Sequence, residues 1–275
     1  MSVLQKLRSL FWVRIRTLIT YLSRAPGMTA IWPWLQAGLV QTRLCGGKKI
    51  GEICVPLGKK KEEVILLDLG SPQQMDVFQE VLVERNYPLE KIPFVPELVV
   101  DCGANIGFFS ALAAVRFPGA KIVAWEAQKE NFAALQNQPV LQSPRVQLVH
   151  AGVSDHNGEG FFSGEGSGGR LENESTKDGG TKVKILDLRE WWMKNKRPKA
   201  LWKIDVEGHE NTLLPHMAGT WERPCALFLE THEPGGNDGD LIKTLNQDGF
   251  QITLLNEHKL PGDERIFREF VCLKK

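Results

Sequence analysis

"VVDCGANIGFFS", residues 99–110, decides the fold of this chain. Residues typical of a buried strand lead into Gly103, Asn105 and Gly107, and an apolar run with helical spacing follows. In an open parallel sheet, ligands bind beyond the carboxyl ends of the strands, so this corner forms the floor of a crevice. Its glycines allow tight turns and let a ligand approach the main chain. The stretch therefore predicts a strand, a ligand-binding turn and a helix.

The sequence after Pro96 alternates between strand and helix patterns. The predicted strands are LVVDCG, KIVAWEA, VQLVHAGVS, ALWKIDVEG, CALFLETH, FQITLLN and EFVCLKK, and TKVKILDL is a further candidate. Strands that are separated by helices pair in parallel, with the helices on both faces of the sheet. We therefore predict an α/β fold with a doubly wound, mostly parallel seven-stranded, Rossmann-like sheet and an N-terminal helical and hairpin extension.

Changes in composition predict three regions along the chain. Residues 1–45 form a basic amphipathic helical extension, residues 46–96 supply accessory strands and a helix, and residues 97–275 form the main domain. Ser71 and Pro72 are typical of the N-cap and first residue of a helix. Residues 163–180 contain six glycines, so we expect a mobile loop, either a passive surface loop or a lid over the substrate.

The composition is that of a soluble globular protein. The chain has 275 residues, of which 42% are hydrophobic and 24% charged, enough to bury a substantial core. A net charge of +1 argues against a strongly basic nucleic-acid-binding protein. The five cysteines include no CxxC pair, which favours a reducing compartment, a cytoplasmic location and no structural zinc.

Positive charge is concentrated at the N-terminus. The first 51 residues hold eight Lys and Arg and no acidic residue, so they carry +8, and the remainder carries −7 (1 − 8). Arg14 and Arg16 interrupt the apolar run, so neither a membrane-spanning helix nor a signal peptide is expected. The segment is either an accessory helix packed on the domain or a basic amphipathic helix in peripheral contact with an anionic membrane.

Two carboxylates indicate which kind of ligand the crevice binds. Asp101 precedes the turn, and Asn105 replaces the middle glycine of a dinucleotide-binding G-x-G-x-x-G, so a cationic group fits better than a diphosphate. This disfavours a nicotinamide-dependent oxidoreductase. Glu126, at the end of the second predicted strand, is placed to bind a ribose diol. A cationic amino-acid end and a ribose together describe S-adenosylmethionine.

Two longer motifs resemble a known family. Residues 99–132 look like motifs I and II of class I methyltransferases, and "LWKIDVEGHE" (201–210) resembles the K-x-D-x-E-G-x-E signature of the FkbM family. "FLETH" (228–232) is similar to that family's next strand. The resemblance covers roughly residues 64–275 and implies methyl transfer from S-adenosylmethionine, commonly to a hydroxyl of a sugar, glycan or secondary metabolite. The chain departs from the family where Ala127 stands in place of a frequent proline after the acidic residue.

The resemblance also implies where the cofactor binds. The matching positions are Asp101, Gly103, Ala104, Asn105, Gly107, Glu126, Ala127, Val153 and Asp155. Asp101 and the glycine turn would hold the methionine part, Glu126 the ribose, and Val153 and Asp155 the adenine. "SDHNGEG" around Asp155 is equally typical of a plain turn.

A second polar cluster follows the predicted strand at residues 200–208. Along a strand, Lys203, Asp205 and Glu207 would point the same way, while Glu210 opens a helix. Methyl transfer to a hydroxyl needs an aligned acceptor and a base. We predict Asp205 or His232 as the base, with Glu207 and Lys203 orienting the acceptor. The alternatives are a structural ion pair for Lys203 and, for His232, a contact with Glu230 or Glu233 at the strand end. No metal is required, although Asp205, Glu207 and His232 could bind one.

Other functional questions stay open at this stage. The acceptor is expected to be a small molecule or glycan, and the oligomeric state is not indicated. Trp191, Trp192 and Trp202 fit either sugar stacking or core packing. The alternative to an enzyme is a catalytically inactive S-adenosylmethionine-binding or scaffold protein of the same fold, which the intact Asp101 and Glu126 disfavour.

Overall fold

The computed structural model describes residues 3–41, 51–163, 170–172, 180–195, 198–222, 224–234, 238–259 and 264–274. It divides into two compact units, Met1–Arg85 with Asn137–Val140, and Asn86–Gln136 with Leu141–Lys275. The three regions predicted from composition stay a prediction. Most of the glycine-rich loop predicted at 163–180 lies outside the described residues.

The smaller unit contains the predicted N-terminal helix and hairpin. Its elements are α1 (Val3–Arg24), α2 (Ile31–Gln41), β1 (Glu52–Pro56), β2 (Val64–Asp68) and α3 (Pro72–Phe78), which continues as a π-helix over Gln79–Glu84. β1 and β2 pair antiparallel and form the predicted hairpin. Ser71 caps α3 by accepting the Gln74 N–H, and Pro72 is its first residue. No described helix is long and apolar enough to cross a bilayer.

The larger unit alternates strands and helices. Its strands are β3 (Leu98–Cys102), β4 (Lys121–Glu126), β5 (Val146–His150), β6 (Gly152–Ser154), β7 (Gly158–Ser163), β8 (Arg170–Glu172), β9 (Thr181–Asp187), β10 (Ala200–Ile204), β11 (Cys225–Pro234), β12 (Gln251–His258) and β13 (Arg265–Lys274). Its helices are α4 (Phe108–Arg116), α5 (Lys129–Gln136), α6 (Leu188–Lys194), α7 (Glu210–Met217) and α8 (Gly239–Gln247).

A seven-stranded sheet with the order β12-β13-β11-β10-β3-β4-β5 confirms the predicted fold. Strands β5, β4, β3, β10 and β11 run parallel, and only β13 pairs antiparallel with its neighbours. The chain moves outward from β3 through β4 to β5, and later returns to the other side of β3 as β10. The strand order therefore reverses between β3 and β10, which is where such sheets bind ligands.

Two details of the predicted strands are wrong. The single strand expected at VQLVHAGVS is interrupted at Ala151, whose N–H donates to the Glu126 carbonyl, and β6 beyond it joins a second sheet of order β6-β9-β7-β8. The strand expected at ALWKIDVEG ends at Ile204. Asp205 and Glu207 therefore lie in the following turn, and the two-residue alternation does not apply to them.

Tryptophans fill the core against one face of the seven-stranded sheet. Trp192 and Trp202 are 1% and 0% exposed and contact each other edge to face at 4.9 Å. Trp191 is partly buried and packs edge to face on Trp125 at 4.6 Å. The Trp192 indole N–H also donates to the Thr220 carbonyl. Core packing, and not sugar stacking, accounts for these side chains.

Candidate active site

A cavity opens at the carboxyl ends of β3, β4 and β10. The space it encloses, counted with the open solvent at its mouth, is about 600 Å³. Seven predicted site residues line it: Gly103, Asn105, Glu126, Ala127, Val153, Asp205 and Glu207. The other six predicted residues, Asp101, Ala104, Gly107, Asp155, Lys203 and His232, are not part of its lining.

The turn after β3 holds a backbone conformation that suits glycine. Gly103, Asn105 and Gly107 have φ values of 79°, 51° and 89°, in the left-handed region. A Cβ built at Gly103 would lie 1.9 Å from the Asp205 carbonyl oxygen. Glycine at this position is therefore required by the close approach of the turn after β10, in addition to any ligand.

Glu126 connects the turn after β3 to the turn after β4. Its Oε2 accepts the Asn105 N–H and its Oε1 accepts the Gln128 N–H, both at 2.8 Å. The side chain is nearly buried but lines the cavity. Burial raises the pKa of Glu126 to about 7, against the lowering effect of the two backbone donors. Each carboxylate oxygen keeps a further lone pair with which it could accept a ribose hydroxyl.

Asp101 is not part of the cavity lining, so of the two modes considered, direct or water-mediated contact with a cationic group, direct contact is disfavoured. The side chain is wholly buried, its Oδ2 accepts the Ser110 hydroxyl at 2.6 Å, and its Oδ1 lies 3.8 Å from Lys203 Nζ. Burial raises the pKa of Asp101, and Lys203 opposes that effect.

Lys203 is the buried cation that holds the two turns together. Its Nζ donates to Asp205 Oδ2 at 2.9 Å and to the Gly103 carbonyl at 2.8 Å. Burial works to lower the pKa of Lys203, but Asp205 and Asp101 outweigh it and raise the pKa. For Asp205 burial acts in the opposite direction, and Lys203 and His232 hold its pKa below the ordinary value. The structural ion pair considered from the sequence is present, and Asp205 still lines the cavity.

Glu207 presents a carboxylate to the cavity from a strained turn. Its φ is 55°, which is uncommon for a residue other than glycine, asparagine or aspartate. Its Oε2 lies 3.5 Å from His232 Nε2 and 3.9 Å from an Arg265 nitrogen. Burial raises the pKa of Glu207 to about 7, while His232 lowers it and Asp205 raises it. The side chain can therefore exchange a proton close to neutral pH.

His232 is enclosed by carboxylates, and this environment disfavours it as the predicted base. The side chain is 1% exposed; its Nδ1 lies 3.2 Å from Glu210 Oε1, and its Nε2 lies 3.5–3.7 Å from oxygens of Asp205, Glu207 and Glu230. Burial would lower the pKa of His232, but these acidic neighbours, Glu210 above all, raise it to about 10. The ring is therefore already protonated at neutral pH.

Sequence reasoning missed one member of this buried cluster, Tyr87, and gave another, Glu210, a different role. Tyr87 Oη lies 3.5 Å from Asp205 Oδ2 and 3.4 Å from Glu230 Oε2. Glu210, expected to interact with its helix dipole, accepts the Val206 N–H at 2.9 Å and contacts His232. The metal-ligand set considered from the sequence also changes. In the described part of the chain, Asp205, Glu210 and His232 are the set whose ligand atoms lie within 4.8 Å of one another, and Glu207 is not in it.

Another part of the cavity lining comes from β4, β6 and β7. Val153 and Phe162 line it, and Phe162 stands on β7 in the small sheet that sequence analysis did not predict. Asp155 instead accepts the Ser154 hydroxyl at 3.0 Å and contacts the His156 ring at 2.8 Å. The turn interpretation of this segment is therefore the better one. His209, whose Nε2 lies 2.8 Å from the Ser154 hydroxyl, lines the opposite side.

A family model described as "Methyltransferase FkbM domain" matches residues 101–252, more than half of the chain. The protein belongs to the FkbM methyltransferase family. The resemblance seen in the sequence is thereby confirmed. The chain is an S-adenosylmethionine-dependent methyltransferase, and the predicted cofactor is confirmed with it.

Individual relatives are similar at low identity. The 31-O-demethyl-FK506 methyltransferase FkbM of Streptomyces tacrolimicus is 23% identical over 223 residues, which cover 68% of this chain and 86% of the relative. The AMB antimetabolite synthetase AmbE of Pseudomonas aeruginosa is 27% identical over 237 residues, which are 69% of this chain but 11% of that synthetase. A solved methyltransferase FkbM from Methylobacillus flagellatus aligns at 15% identity and a TM-score of 0.45, covering 94% of this chain and 58% of the other.

Proposed function

We propose that this methyltransferase modifies a hydroxyl oxygen of a small-molecule or glycan acceptor. The observation that carries the proposal is the Glu207 carboxylate, which lines the same cavity as Glu126. A hydroxyl must lose its proton as the new carbon–oxygen bond forms, so transfer to oxygen needs a base at this place. An amine acceptor has a free electron pair and makes no such demand.

The lining residues fit S-adenosylmethionine. Glu126 would accept the ribose hydroxyls, and Val153 and Phe162 would give apolar walls for the adenine. The turn at Gly103–Asn105 would hold the methionine end, with the negative charge of Asp205 facing the cationic sulfonium. The bound cofactor supplies the methyl group and departs as a neutral thioether.

Glu207 is our proposed base in place of His232. Its carboxylate would take the acceptor's hydroxyl proton, and a pKa of about 7 suits proton transfer at neutral pH. Lys203 stabilises the ionised form of Asp205, so Asp205 keeps its negative charge. We therefore assign Asp205 to orientation of the acceptor and the sulfonium. Lys203 positions Asp205 and the Gly103 carbonyl from below the cavity.

The name of one relative also favours an oxygen acceptor. The Streptomyces tacrolimicus protein is named for methylation of a 31-O-demethyl compound, and this chain covers 86% of it. We extend transfer to oxygen, but not that particular acceptor, to the present chain.

The proposal can be tested with deuterium-labelled S-adenosylmethionine and cell extract. We expect an extract metabolite or glycan to gain one labelled methyl, and two-dimensional NMR of the product to show a methoxy signal. Heat-inactivated enzyme is the control. A labelled methyl bound to nitrogen or carbon, or extract without any enzyme-dependent label, would contradict the proposal.

A further inference from the structure

The part of the smaller unit that precedes Glu52 concentrates positive charge. All eight charged residues before Glu52 are Lys or Arg. Within α1, Arg14 and Arg16 are both exposed. Arg24, at the end of the same helix, is used internally, because its Nε donates to the Val83 carbonyl at 3.0 Å. The free surface of this helix is therefore basic.

The same segment also exposes large apolar side chains. Val13 and Ile19 on α1 are each 60% exposed, and the turn into α2 exposes Met28 (88%), Ile31 (43%) and Trp32 (63%). Five of the eight large apolar side chains that are exposed in the described structure thus lie between residues 13 and 32. Isolated exposed apolar residues are ordinary, but a group beside a basic helix marks an interaction surface.

The core of this helix pair explains which side faces outward. Tyr21 and Trp34 are buried and pack on Phe78 at ring-centroid distances of 5.8 and 5.1 Å. Gly38 lets α2 approach α1, since a Cβ there would lie 3.0 Å from Leu18 Cδ1. The internal face of the helix pair is therefore occupied, and Met28 and Trp32 are left on the outside.

We propose that α1 and the turn at Met28–Trp32, which we call the basic apolar surface, dock on an anionic lipid bilayer. The arginines would contact lipid phosphates, while Met28 and Trp32 enter the headgroup region, where an indole ring is favoured. The binding is peripheral. Its chemical partner is the anionic headgroup layer with the acyl boundary beneath it.

Three hydroxyl side chains of α1 form hydrogen bonds within the helix. The hydroxyls of Thr17, Thr20 and Ser23 donate to carbonyls of the preceding turn at 3.1, 2.9 and 2.7 Å. Because these groups already have hydrogen-bond partners, moving them from water towards lipid has a smaller penalty.

A second copy of the chain is the less favoured occupant. Pairing two such surfaces would bring basic residues together, with no acidic residue in the first 51 positions to neutralise them. An anionic bilayer supplies the missing negative charge.

Vesicle flotation with the full chain tests this directly. We expect binding to phosphatidylcholine vesicles that contain phosphatidylglycerol, little binding to phosphatidylcholine alone, and weaker binding as salt is raised. The double variant Arg14→Gln, Arg16→Gln should bind at least about tenfold more weakly, and so should Met28→Ser, Trp32→Ser. Val95→Ser is the matched control, because Val95 is 73% exposed but lies in the larger unit.

Two further measurements separate the outcomes. Calorimetric binding of S-adenosylmethionine should be unchanged in every variant, which shows that the fold and the cofactor site are intact. Equal binding to both vesicle types, no binding by the parent chain, or full binding by both double variants would overturn the proposal. A dimer in light scattering that Met28→Ser, Trp32→Ser converts to a monomer would assign the surface to self-association instead.

Discussion

Lys203 determines the charge state of the site at the scale of single residues. It is the cation within 4 Å of both Asp101 and Asp205 among the described residues, and its side chain is only 5% exposed. His232 provides a second positive charge among four carboxylates. The carboxylates of the cluster can lie close together because these two cations compensate their negative charge.

Replacing Lys203 by methionine should destabilise the protein. The buried Asp101 and the partly buried Asp205 would lose their cation, and breaking a buried ion pair costs about 3–5 kcal/mol at neutral pH. The loss should be smaller at pH 5, because without the lysine both carboxyls take up protons in the folded state as the pH falls. Urea unfolding of Lys203→Met at both pH values measures this. Lys194→Met is the control, since Lys194 is 71% exposed and should matter little. Equal small losses in both variants would contradict this role of Lys203.

Glu207 should give the methylation rate its pH dependence. The base works only when ionised, so with a pKa of about 7 we expect kcat/KM to rise through neutral pH and level off above it. Glu207→Gln should lower kcat by about 100-fold or more and remove the rise. Glu159→Gln, a change at a side chain that is 64% exposed on β7, should behave like the parent. A Glu207→Gln enzyme with the parent's pH profile would show that another group takes the proton.

The turns after β3 and β10 determine the site at the scale of elements. Gly103 and Asp205 come from different turns and meet at backbone distance. The sequence pattern predicted both turns, because strand ends followed by glycines and carboxylates are local signals. It did not predict the contact between them, and of the close neighbours of His232 it indicated Glu230 but not Glu210. Tyr87 and Glu210 reach the cluster from separate segments, and no local pattern encodes that meeting.

Gly103→Ala should disrupt both turns together. The new Cβ would overlap the Asp205 carbonyl, and the positive φ alone disfavours alanine by about 1–2 kcal/mol. We expect a lower melting temperature. We also expect at least tenfold weaker binding of S-adenosylmethionine, because a loss of about 1–2 kcal/mol in binding free energy corresponds to about that factor. Gly119→Ala is the matched control, because a Cβ there meets no atom within 4 Å. Normal cofactor affinity in Gly103→Ala would show that the approach of the two turns is not needed for binding.

The sheet is the feature of the whole molecule that the sequence predicted best. Long apolar strands separated by helices predicted a seven-stranded, mostly parallel sheet, because burial on both faces leaves a strong pattern. The second sheet was missed since β6 and β8 have three residues each, too few for a periodic signal. Because β7 of that sheet supplies Phe162, the sequence pattern did not predict this part of the cavity lining.

A crystal structure with S-adenosylhomocysteine would show whether Glu126 binds the ribose of the cofactor. We expect the nucleoside at the carboxyl ends of β3 and β4, with its ribose hydroxyls at hydrogen-bond distance, about 2.6–3.2 Å, from the Glu126 carboxylate. A nucleoside bound elsewhere, or one whose ribose is held by a residue other than Glu126, would contradict this expectation.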